Sequence, residues 1–135
     1  MGKYRTPSVN TKYYIPREDY LTAIHYSLRY PLWVEEAKAL ADTSGAIRYD
    51  KDKVQTSSDY DSTYEAAVRL KEVNEKIDLV NETIDKVSDG LSYWLRLGVC
   101  FGLTFDQLKG KELPCERDKY YLIRRRYYYE LCKRI

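Results

Sequence analysis

Along most of this chain apolar residues return every three or four positions, and no segment alternates strictly between apolar and polar. That period belongs to helices, whose turn is 3.6 residues. Leu21, Ile24 and Leu28 form one such series, with Tyr20 and His25 close by. Pro16 is suited to open this helix, because its missing N–H is no loss in a first turn, and Glu18 and Asp19 follow where the helix dipole favours acids. Pro31 interrupts the run. A second apolar series, Trp33, Val34, Ala37 and Leu40, follows over 32–41, which predicts two helices or one kinked at Tyr30-Pro31.

The period then lapses. Residues 42–61, "DTSGAIRYDKDKVQTSSDYD", are polar and contain a glycine, and they read as a long loop. Ser62 stands three residues before Glu65, the signature of a capping box. After it, Ala66, Val73, Ile77, Val80, Ile84 and Val87 mark one face, with Leu70 beside it. They predict a helix of roughly seven turns, closed by Ser88-Asp89-Gly90. Its opposite side carries Glu72, Glu75, Lys76, Asp78, Glu82 and Lys86, a pattern expected of a solvated face.

The C-terminal third divides into three helical pieces. Residues 91–101 are apolar, with Tyr93, Trp94, Leu95, Leu97 and Val99, and Gly102 ends them. Thr104-Phe105-Asp106-Gln107 is a second capping box, so a short helix runs from there to about Lys109. Residues 110–114 form a turn, and Pro114 places Cys115 or Glu116 at the head of a last helix. The expected fold is therefore all-α: an arm over 1–15, a helical region over 16–89 with its polar loop, and a helix-turn-helix over 90–135. In that motif the second helix enters the DNA major groove.

Charge sharpens this picture. The 135 residues carry a net charge of only +2, but unevenly. Lys3, Arg5 and Lys12 precede any acid, residues 65–89 are acid-rich, and the last turns are basic. Within "YYLIRRRYYYELCKRI" (120–135), Tyr120, Ile123, Tyr127, Tyr128 and Leu131 fall on one face, while Arg117, Asp118, Lys119, Tyr121, Leu122, Arg125 and Arg126 fall off it. The candidate DNA-binding residues are Arg117, Lys119, Tyr121, Arg124, Arg125, Arg126 and Lys133. Arg and Lys neutralise phosphates and release counterions. Arg can also pair bidentately with guanine O6 and N7.

Other chemistry is sparse. Cys100, Cys115 and Cys132 make no CxxC pair and no even set, which argues against a disulfide scaffold and suits a reducing cytoplasm. His25 is the only histidine, so neither a zinc site nor a histidine-based catalytic pair is expected. Cys115 lies at a helix start beside Arg117 and Lys119, charges that would lower a thiol's pKa, yet no histidine is near it to act as base. No glycine-rich phosphate loop is present. The expectation is no enzyme, no metal and no cofactor. No apolar run reaches membrane-spanning length, and "MGKYRTPSVNTKYY" lacks the apolar block of a signal peptide.

In order and content the chain resembles the small phage and prophage transcriptional activators of the RinA and ArpU type. The resemblance rests on "RYPLW" (29–33), on "SDYDSTYEAA" (58–67) at a loop-to-helix junction, and on "LPCERDKYYLIRRRYYYELCKR" (113–134), covering roughly 20–135. It implies a sigma-factor-like C-terminal helix-turn-helix, binding to double-stranded promoter DNA in the host cytoplasm, and action on host RNA polymerase. The acidic side of the central helix would then be a polymerase-facing or dimerising surface, so an oligomer is compatible with it. Tyrosine-rich character, Glu116 and Asp118 depart from what such a recognition helix would carry, since acids repel phosphate unless they meet cytosine amino groups or cap the helix. Two other classes want the same helical body with a charged edge: a phage-encoded inhibitor of the anti-defence or anti-CRISPR kind that binds a host protein, and a small terminase-like assembly protein.

Overall fold

The computed structural model describes residues 12–48 and 57–135, and every regular element among them is an α-helix. These are α1 (Arg17–Leu28), α2 (Tyr30–Arg48), α3 (Ser57–Val87), α4 (Ser92–Phe101), α5 (Phe105–Lys109) and α6 (Arg117–Cys132). The all-α expectation holds. The chain divides into two compact units, one combining the residues up to Tyr30 with Leu79–Ile135, the other spanning Pro31–Asp78.

The first unit is built where α1, α4 and α6 pack on one another, with α5 against α4. Each helix contributes its apolar stripe. Tyr20, Ala23 and Ile24 come from α1, Val80, Ile84 and Val87 from the end of α3, and Leu95, Val99 and Cys100 from α4. The stripe of α6 is Tyr120, Ile123, Tyr127, Tyr128 and Leu131, all at most 3% exposed, as its spacing predicts. Aromatic edges join the layers: the rings of Tyr20 and Tyr128 lie 5.4 Å apart at 87°, a favoured edge-to-face arrangement. Burying Ser27 and Tyr127 requires partners for their hydroxyls. Ser27 donates to the Ala23 carbonyl at 2.9 Å, so its single proton is used. The 2.7 Å contact between the two hydroxyls is then Tyr127 donating to Ser27.

Three connections among the described residues use the left-handed backbone, one of them the α5–α6 turn at Glu112 (φ 66°). Asp89 (φ 52°) and Gly90 (φ 85°) turn the chain from α3 into α4, and Gly102 (φ 75°) ends α4. Asp and Gly are among the residues that adopt this region at lowest cost. The arm expected over 1–15 is tied down where it is described. Ile15 is buried and Tyr13 packs edge-on against Tyr129 at 5.4 Å; residues 1–11 lie outside the described set.

In the second unit, Trp33 and Val73 are buried, and Lys76 lies 5.7 Å from the Trp33 ring centre. Arg69 forks onto Glu36 with bonds of 2.7 and 3.1 Å, and that hydrogen bonding holds the Glu36 carboxyl below its usual range. Here the loop expected over 42–61 is corrected. Helix α2 continues to Arg48 and α3 begins at Ser57, so 42–48 and 57–61 are helical, while 49–56 lie outside the described residues. An apolar period reports which face packs, and a helix can outrun its packed face into a polar stretch. The Ser62–Glu65 capping box consequently falls inside α3. Ser57, Ser58, Asp59, Asp61 and Ser62 are all residue types that cap, and the pattern alone does not choose among them.

Candidate nucleic-acid interface

Thr104 opens α5 in extended conformation and forms the expected reciprocal box. Its hydroxyl accepts from the Gln107 N–H at 3.2 Å, and its own N–H donates to the Gln107 side chain at 2.8 Å. The turn that follows is held from three sides. Leu113 N–H donates to the Leu108 carbonyl at 3.1 Å, Lys109 Nζ reaches the Leu113 carbonyl at 3.1 Å, and Trp94 Nε1 donates to the Lys111 carbonyl at 2.9 Å. Leu108 and Leu113 anchor the turn in the core. Glu116 precedes α6 in extended conformation. The short helix, turn and long helix expected from the sequence are therefore present.

The predicted binding residues do not share one environment. Arg125 and Arg126 are half-buried and form no salt bridge with any described residue. At 100° per residue they flank Leu122, which is exposed. Arg117 and Lys119 are exposed and lightly engaged, Arg117 with Asp106 at 3.7 Å and Lys119 with Asp89 at 3.2 Å. Such solvated pairs contribute about 0–1 kcal/mol and yield to a competing anion. Lys133 lies over the Tyr129 ring at 4.4 Å and beside Glu130 at 3.7 Å; Glu130 also takes Lys86 at 3.1 Å. Tyr121 is half-buried against Phe105 and Tyr120.

Arg124 stands apart from the outward cations. Its position four residues from both Tyr120 and Tyr128 puts it on their face of the helix. Its guanidinium lies 5.7 Å from the Tyr128 ring and 5.8 Å from that of Tyr121, and its Nε is buried with no partner. Burial raises the phenols around it, Tyr20 and Tyr128 among them and Tyr120 to about 12, while the nearby Arg124 charge opposes each shift.

The lowered thiol pKa expected at Cys115 is corrected: burial pushes it up, and Lys119 and Lys109 only partly offset this. Cys115 lies one residue outside the N-cap, so it gains little from the helix terminus. Burial also raises Cys100 to about 12 and Cys132 to about 11. His25 is exposed. Among the described residues no cluster could hold a metal ion, and no helix is long and apolar enough to cross a membrane. Sequence reasoning missed the part played by Phe105, named there only within the Thr104 capping box: it is the ring beneath Arg117, 4.6 Å from the guanidinium carbon. Arg117 and Tyr121 are four apart on α6, but that spacing carries no signal for the α5 ring that meets them.

The chain matches no protein-family model, and no curated protein or solved structure is significantly similar to it.

Proposed function

We propose that the protein is a phage-type transcriptional regulator that binds double-stranded promoter DNA through α6 and acts on host RNA polymerase. One observation carries the DNA half: α6 is two-sided, its tyrosine stripe packed inward while Arg125 and Arg126 flank the outward ridge with no carboxylate of the described residues to neutralise them. A cationic ridge of that kind gains free energy by displacing counterions from a polyanion. The preceding α5 and its braced turn support the reading, because they fix where α6 begins.

The test is binding of the purified protein to duplex DNA from upstream of its own coding region, repeated with Arg125→Ala and Arg126→Ala. Each variant is expected to lose about 1–3 kcal/mol if its side chain pairs with a guanine, or to show a shallower salt dependence if it touches only phosphate. Unchanged affinity and salt slope in both would end the reading. The polymerase half stands on the resemblance, and recovery of the host enzyme on immobilised protein, no better than on a blank matrix, would remove it. A second reading, binding to a host protein, draws on Leu122, 42% exposed between the two arginines, since an aliphatic centre with an arginine rim suits a protein interface. Tight capture of a host protein with no duplex binding is its distinguishing outcome.

A further inference from the structure

Among the described residues, Arg117 is the outward arginine of α6 that lies over aromatic rings. Its guanidinium carbon lies 4.6 Å from the Phe105 ring centre and 5.9 Å from that of Tyr121. Those two rings are themselves 6.2 Å apart and only 30° from parallel. They come from different elements, Phe105 from the first turn of α5 and Tyr121 from α6, and the buried Tyr120 ring backs Phe105 at 6.0 Å. An exposed arginine ordinarily samples many rotamers, and ordering it opposes binding. Stacking removes part of that freedom in advance. A guanidinium held over a ring still has N–H donors to offer at its edge, a planar fork matched to bidentate acceptors. The edge's partner among the described residues is Asp106, at 3.7 Å and with its side chain 89% exposed, too far for a hydrogen bond and easily displaced.

Resting on the DNA reading above, we propose that Arg117 is the specificity-determining side chain of the interface, reading the O6 and N7 edge of one guanine, with Phe105 as its positioning residue. Among the described residues no ring lies under Arg125 or Arg126, and these two serve the phosphates. Lysine at position 117 would keep the charge and lose the planar fork, so the account separates sequence preference from affinity.

The experiment is selection from a randomised duplex library with the full chain, wild type against Arg117→Lys and Phe105→Leu, with the melting temperature of each variant measured first. The wild type is expected to enrich guanine at one position roughly tenfold over background. Arg117→Lys should lose that enrichment while its affinity for unselected duplex stays within about twofold. Phe105→Leu, which leaves the arginine in place, should weaken enrichment at the same position alone. If Arg117→Lys selects the same sites as the wild type, the guanine-reading role is wrong while DNA binding stands. If the wild type retains no duplex above the blank, the DNA reading itself fails and this inference falls with it.

Discussion

Raising the pH from 9 to 11 is expected to unfold this protein. Tyr20, Tyr120, Tyr127 and Tyr128 all have their pKa raised from 10.0 by burial, Tyr120 to about 12. The folded state therefore holds these protons more tightly than the unfolded chain does. Their contribution is fully present below pH 10 and is lost as the pH climbs through the folded values, because the unfolded chain ionises first. Each tyrosine removes about 1.4 kcal/mol per pH unit in that window. Tyr120, Tyr127 and Tyr128, whose shifts are large, would together remove roughly 4 kcal/mol in one unit, approaching the lower end of a small domain's total stability, and Tyr20 acts in the same direction. The buried Cys100 thiol, raised from 9.0 to about 12, adds to the slope from pH 9. Tyr20, Tyr120 and Tyr128 face Arg124, whose charge softens the cost of ionising them, so Tyr127, whose shift Arg124 does not offset, should matter most. Urea unfolding at pH 8, 9, 10 and 10.5 measures this, with Tyr127→Phe expected to flatten the slope by about one proton. Stability unchanged up to pH 10.5 would contradict it.

Gly98→Ala is expected to destabilise the fold even though alanine is the better helix former by up to about 1 kcal/mol. A Cβ at position 98 would overlap the Tyr120 hydroxyl and meet Leu108 Cδ1 at 3.6 Å. Tyr120 is 3% exposed, so its ring cannot swing into solvent without opening the α4–α6 contact. Overpacking of this kind costs about 1–3 kcal/mol. Removing the hydroxyl should relieve it, so the double variant Gly98→Ala with Tyr120→Phe is expected to recover most of the loss, giving a favourable coupling in a double-mutant cycle. A single Gly98→Ala variant that melts higher than wild type would mean that α4 and α6 do not meet at this glycine.

The helices were legible where the sequence packs them. Pro16, Pro31 and Pro114, the Thr104 box, Gly102 and the spacing of Tyr120, Ile123, Tyr127, Tyr128 and Leu131 each mark a local physical constraint, and each is found in its expected place. The extension of α2 and α3 over 42–48 and 57–61 was not legible, because those stretches carry no apolar period from which a helix could be read. Nor was the packing of α1 against α6, through Tyr20, Ser27, Tyr127 and Tyr128, since contacts a hundred residues apart have no local signature. At the candidate interface the sequence supplied the residue types. It did not sort Arg124, drawn in among phenols, from Arg125 and Arg126 facing out, although the spacing of four between Tyr120, Arg124 and Tyr128 was there to be read. Phe105 beneath Arg117 depends on the turn geometry between α5 and α6, which spacing does not encode.

On the proposed reading, the outward side of α6 receives a polyanion while its inward side holds the body together. Backbone amide shifts of labelled protein titrated with duplex DNA at low salt test it directly. The largest changes are expected at Arg117, Tyr121, Leu122, Arg125 and Arg126 and in the α5–α6 turn, fading as salt is raised. No change at low salt, or changes confined to α2 and the first half of α3, would contradict it.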